Sequence, residues 1–274
     1  MAKIDFDKTL ASGLAAYNKS VGKWWIDRTR NAAHVAAYKN IAGHVVRCVQ
    51  QQRGVLIDYG CGTGLILKRL VDALPAWDLL GIDGSQVLLR EAEAWARRKR
   101  AIRSGAIEFR CAKLPDFSPG DTQADVILFT FPNIVSVPRE RRPFEKLFPQ
   151  DRDLARVLTK KQEKANRAVD LYDQLLMNRV VSRNLRTLLR KGGLCVRVDY
   201  SQANRRELCR FDQLSTMFEE GSLNTKQGHL RPKKFFKLLS SEYFPSAVIL
   251  DVYEQTQDQD FLEGGYLISV LQAI

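Results

Sequence analysis

From residue 54 onward the chain alternates short apolar runs with longer stretches patterned for amphipathic helices. Val55-Leu56-Ile57 is the first run, closed by Asp58 and followed by Gly60, Gly62 and Gly64 with one residue between each. A run this short, bounded by glycines, fits a buried strand better than a helix, and Leu65-Ile66-Leu67 then opens a helical pattern. Further strands are predicted over 76–82, ending at Asp83, and over 106–111, 124–131 and 194–200. Strands alternating with helices at this spacing predict an α/β protein built on a parallel sheet.

Upstream, Leu10, Leu14 and Tyr17 lie at helical spacing, and Val21-Gly22-Lys23-Trp24-Trp25 interrupts. A second helix is predicted from Asn31, as N-cap, through Val35, Tyr38, Ile41, Val45, Val46 and Val49. Ser85 is the natural cap of the helix after Asp83, which ends in Arg97-Arg98-Lys99-Arg100, cations suited to a helix C-terminus. A stripe from Val169 through Leu188 and Leu189 stops at Lys191-Gly192-Gly193. Helical segments are expected near 206–218 and 232–240, and two terminal strands over 247–253 and 266–271.

The glycine turn carries the first chemical information. Strand, glycine turn and helix form a cradle for a small ligand at the carboxyl edge of a parallel sheet, because backbone N–H groups can approach where no Cβ stands in the way. The spacing is G-x-G-x-G. A dinucleotide fingerprint would place its third glycine at Leu65, and the phosphate loop G-x-x-x-x-G-K-[ST] is absent, so pyrophosphate binding is disfavoured. Asp83 falls about 20 residues beyond the turn, where a nucleotide-binding α/β fold puts its ribose-binding acid. A carboxylate there accepts hydrogen bonds from both ribose hydroxyls.

The chain has 274 residues and a hydrophobic fraction of 45%, enough for a substantial core. No apolar run reaches a membrane span, and the charged N-terminus lacks the apolar region of a signal peptide. The five cysteines form no C-x-x-C pair, which fits reduced thiols and a cytoplasmic location. His34, His44 and His229 do not pair at ligand spacing, so no metal site is expected. The net charge of +12 and pI near 9.6 fit an acidic partner such as nucleic acid, or simple solubility.

Asp58-x-Gly60-x-Gly62-x-Gly64 resembles motif I of the class I S-adenosylmethionine-dependent methyltransferases. Leu79-Leu80-Gly81-Ile82-Asp83-Gly84-Ser85 resembles their motif II, and Lys191-Gly192-Gly193-Leu194 their approach to strand five. The resemblance covers about residues 50–272. It implies a Rossmann-like, seven-stranded, mostly parallel sheet with a C-terminal antiparallel hairpin and helices on both faces. A helical extension or lid (1–50) would precede the core (51–274), with a basic helical insertion after strand four at about 138–168. The implied cofactor is S-adenosylmethionine, leaving as S-adenosylhomocysteine, held by Asp58, Tyr59, Gly60, Cys61, Gly62, Gly64, Asp83, Gly84, Cys111, Ala112, Phe129 and Thr130. Where the family carries an acid for the adenine amino group, this chain has Cys111-Ala112, so backbone and apolar contacts are expected there.

The resemblance implies methyl transfer to an oxygen or nitrogen of a small molecule, a metabolite or natural-product intermediate. Tyr17, Trp24, Trp25 and Arg28 are the candidates for the lid over substrate. No residue declares itself as a base; His34, Asn133, Tyr200 and His229 are candidates by type or location. The alternatives are an RNA or protein methyltransferase using the basic surface, and a nucleoside-binding module without catalysis.

Overall fold

A computed structural model describes residues 18–99, 106–112, 123–131, 184–201, 235–249 and 264–274. Tyr17, Asn133, His229, the basic insertion and the 206–218 segment lie outside them. The described elements are α1 (Ser20–Arg28), α2 (Ala32–Cys48), β1 (Gly54–Tyr59), α3 (Leu67–Ala73), β2 (Trp77–Asp83), α4 (Gln86–Arg98), β3 (Ile107–Cys111), β4 (Ala124–Thr130), β5 (Leu189–Ser201), β6 (Phe236–Pro245) and β7 (Gly265–Ala273).

The seven strands form one sheet in the order β3-β2-β1-β4-β5-β7-β6. β1 pairs in parallel with β2 and β4, and β7 runs antiparallel to both β5 and β6. The chain leaves β1 toward β2 and β3 on one side, then returns to lay β4 on the other. Strand order therefore reverses between β1 and β4, and in such sheets the crevice for a ligand opens there, at the carboxyl ends.

Alternation along the strands divides the core in two. Leu56, Leu79, Val126, Leu128, Val196 and Ile268 face α2, α3 and α4. Ile57, Ile82, Ile127, Phe129 and Cys195 face the opposite way, where Leu185 and Leu188 of a helical turn at 184–188 pack on them. Both faces thus carry helix. On α2, His34, Ala37, Tyr38, Ile41, Ala42 and Val45 are buried, the stripe that the spacing of apolar residues predicts. Completely burying Ile41 and Val45 contributes about 1.5–3 kcal/mol each.

Four sequence expectations are corrected. Residues 21–25 do not interrupt the N-terminal helices; they lie inside α1. The segment 232–240 was expected to be helical, yet β6 runs through Phe236–Pro245 as an edge strand on β7. Its register slips between Leu238 and Ser240, and the extra residue, Leu239, is turned out to 48% exposure. The strand expected over 247–253 begins instead as a 3-10 turn, Ala247–Ile249, whose Val248 is fully buried. β5 starts at Leu189, within the expected helical stripe, and Gly192 takes φ +80° where the pairing register jumps from Leu189 to Leu194.

Candidate functional site

The turn after β1 is shaped by its glycines. Gly60, Gly62 and Gly64 have φ of +87°, +54° and +68°, a region that L side chains rarely occupy. The amides of Gly60 and Cys61 both donate to the Ile82 carbonyl, at 2.8 and 2.9 Å, which pins the turn to the end of β2. From the other side, Trp95 Nε1 on α4 donates to the Thr63 carbonyl at 3.0 Å. Gly64 packs so closely that a Cβ would stand 3.1 Å from Ala92 and 3.2 Å from Trp95. Among the described residues, by contrast, a Cβ on Gly62 would meet nothing nearer than Leu88 at 4.0 Å. The turn is clamped behind and open in front.

Two carboxyl groups flank this opening. Asp83, half-buried at the end of β2, accepts from Gly62 N at 2.9 Å through Oδ2 and from Ser85 N at 2.8 Å through Oδ1. Burial raises its pKa, while the amides of Ser85, Gly62 and Gly84 pull the other way. Asp58 has no such support. It is buried, and its Oδ1 has no hydrogen-bond partner. Burial first, and the charge of Asp83 second, push it up to about 8. The same two causes raise the buried Cys61 thiol. Ser85 caps α4 as expected, its Oγ accepting from Leu88 N at 3.4 Å.

The remaining candidates divide. Cys111 pairs with Asp83 in the sheet register, is exposed, and points its thiol at the Gly84 carbonyl, 3.8 Å away. The Ala112 amide donates to the Asp83 carbonyl at 3.0 Å. Thr130 is half-buried at the end of β4. These lie along the carboxyl edge beside the glycine turn. The rings of Tyr59 and Phe129 do not: they pack 5.8 Å apart in the core on the opposite face of the sheet from Asp58. Tyr200 belongs to β5, paired with Tyr266.

Beside the end of β4 stands an aromatic cluster. Phe131 takes φ +46°, unusual for a side chain of its size, and its amide donates to the Val198 carbonyl at 2.8 Å. Its ring lies 5.9 Å from His34, 6.1 Å from Tyr38 and 6.0 Å from Tyr266. His34 is completely buried, with Trp25 at 6.3 Å on its other side. Trp24 contacts Trp25 edge-on and carries the Arg28 guanidinium over its ring at 5.2 Å. The chain just before α1 is also tied to the acidic loop that follows Asp83 at the end of β2: Asn18 Oδ1 lies 3.4 Å from both Ser85 Oγ and Val87 N.

Sequence reasoning missed Asn18, Gly81, Trp95 and Phe131. Gly81 alone left a signal, being a glycine inside an apolar strand, which marks a close approach. A Cβ there would stand 2.6 Å from the Phe109 ring and 3.0 Å from Cys61 Sγ. Among the described residues no group of His, Cys, Asp and Glu could hold a metal ion. No helix among them is long and apolar enough to cross a membrane.

Residues 56–149 match the model of a family described as methyltransferase domain. No curated protein matches the chain. Among solved structures, the chain is similar to magnesium protoporphyrin IX methyltransferase from Synechocystis PCC 6803 with bound S-adenosylmethionine. The identity is 13%, over 100% of this chain and 98% of that one, with a TM-score of 0.53. It is similar also to the [4+2]-cyclase SpnF, with 15% identity over 89% of this chain and 83% of that one and a TM-score of 0.51. A third is the PH0226 protein from Pyrococcus horikoshii OT3, with 12% identity over 90% and 94% and a TM-score of 0.50. At these identities the likeness is one of fold.

Proposed function

We propose that this chain, whose residues 56–149 match a methyltransferase-domain model, is a class I S-adenosylmethionine-dependent methyltransferase that methylates an oxygen or nitrogen of a small molecule. The observation that carries the cofactor reading is the orphaned carboxyl oxygen of Asp58 beside the open front of the glycine turn. A site lined by two carboxyl groups and partly closed suits a cationic nucleoside and disfavours a pyrophosphate. Asp83, already fixed by two backbone amides, would hold the ribose hydroxyls. Asp58 would face the cationic end, and the backbone from Gly60 to Gly64 would line the site. At β3, Cys111 and Ala112 offer a thiol, a methyl group and backbone to adenine.

S-adenosylmethionine supplies a methyl group on a sulfonium and leaves as a neutral thioether. The protein's part is then to align the acceptor and exclude water. Residues 1–50 would form the lid, with Tyr17, Trp24, Trp25 and Arg28 beside the acceptor. The Asn18 contacts at Ser85 and Val87 support this by tying the start of α1 to the acidic loop. For a base, Asn133, Tyr200 and His229 stay as candidates. The burial of His34 among aromatic rings favours a packing role for it.

The test is to supply S-adenosylmethionine with a low-molecular-mass metabolite fraction, with RNA and with protein separately, and measure S-adenosylhomocysteine formed. Turnover with the metabolite fraction supports a small acceptor. Turnover with RNA or protein alone overturns it in favour of the polymer reading, which the +12 charge motivates.

A further inference from the structure

The two acids of the site are unequally provided for. Asp83 receives backbone N–H groups on both oxygens. Asp58 sits one strand away, opposite Gly81 on β2 and Leu128 on β4, neighbours that bring no side-chain donor. Its Oδ1 is buried with no hydrogen-bond partner. The groups that face it electrostatically are Asp83 from β2 and the buried Cys61 thiol from the turn, and neither is a cation. Among the described residues no cation or side-chain donor meets the buried Oδ1, which disfavours the carboxylate, whereas a neutral carboxylic acid is tolerable there.

We propose that Asp58 carries a proton in the free protein and surrenders it when a cationic cofactor binds, so that cofactor binding is coupled to the release of one proton. The Asp58 O–H bond breaks, the proton passes to solvent, and the carboxylate left behind is compensated by the ligand's positive charge. The inference rests on the reading of this site as a nucleoside–cation site and adds a proton exchange to it. Asp83 is raised by burial as well, but the amides of Gly62 and Ser85 on its two oxygens offset part of that, a support Asp58 lacks. The pair therefore divides its work: one acid held by backbone amides, the other switched by the ligand.

The coupling is measured on the whole protein by titrating it calorimetrically, near pH 7, in buffers of different ionisation enthalpy. S-adenosylhomocysteine, which retains the ammonium, should release about one proton, given the pKa of about 8. Release should fade above about pH 9. 5′-Methylthioadenosine, which has the same nucleoside and no cation, should bind with no release. Asp58→Asn should bind S-adenosylhomocysteine with no release. Buffer-independent heats for S-adenosylhomocysteine binding, or equal release with 5′-methylthioadenosine, would overturn the proposal while leaving the cofactor assignment intact. Absence of S-adenosylhomocysteine binding to the native protein would instead remove the assignment itself.

Discussion

At the scale of single residues, Asp83 and Asp58 make opposite predictions. Asp83 is pre-set by amides to receive hydroxyl donors, so Asp83→Ala should weaken S-adenosylhomocysteine binding by about 1.5–3 kcal/mol, the worth of hydrogen bonds to a charged group. A titration showing unchanged affinity would take Asp83 out of the site. Asp58 affects stability instead. Its carboxyl titrates near 3.8 in an unstructured chain and near 8 in the free folded protein. The folded state thus holds the extra proton, and the stabilisation this gives is full below the lower value and is lost as pH rises through the upper one. Melting temperature should accordingly fall between about pH 4 and pH 8. Asp58→Asn should remove that part of the slope; an identical slope would mean that another group carries it. Both aspartates were legible in the sequence, because each ends an apolar run beside glycines. Their inequality was not, since it depends on which amides the folded backbone turns toward them.

At the scale of elements, the glycine turn depends on what stands behind it. Gly81 lets the Phe109 ring and Cys61 Sγ close over β2, so Gly81→Ala forces both aside and should cost about 1–3 kcal/mol in chemical denaturation. A wild-type midpoint would mean that the neighbours yield freely. Trp95→Phe keeps the ring packing against Phe109 but leaves the Thr63 carbonyl without its donor. It should cost about 1 kcal/mol of stability and weaken S-adenosylhomocysteine binding, since the turn loses its anchor to α4. Full stability and affinity in that variant would make the bond dispensable. Period-based reading placed β1 to β4 and α2 within a residue or two, because each buries one regular face. It failed at β6, where a helical segment was expected near 232–240. There the partner strand β7 imposes an edge strand, and a bulge accommodates the extra leucine. Local pattern cannot anticipate a bulge that exists only against a partner.

At the scale of the whole molecule, the order β3-β2-β1-β4-β5-β7-β6 puts the strand reversal between β1 and β4 and gathers Asp58, Asp83, Cys111 and Thr130 along one edge. That gathering was foreseeable from the motifs through a family resemblance. The aromatic cluster joining Trp25, His34, Tyr38, Phe131 and Tyr266 was not, because its members come from α1, α2, the end of β4 and β7. The charge of +12 belongs to this scale as well. If the acceptor is a small molecule, RNA retention should be weak and turnover should depend little on salt. Tight RNA binding that collapses steeply with salt would move the acceptor to a polymer. The central claim is that the open glycine turn, with one fixed and one unsupported acid, selects a cationic nucleoside and not a dinucleotide. Calorimetric titration of the native protein with S-adenosylhomocysteine and with NAD tests it most directly. Saturable binding of S-adenosylhomocysteine with no heat from NAD is the predicted result; binding of NAD without S-adenosylhomocysteine would contradict the claim.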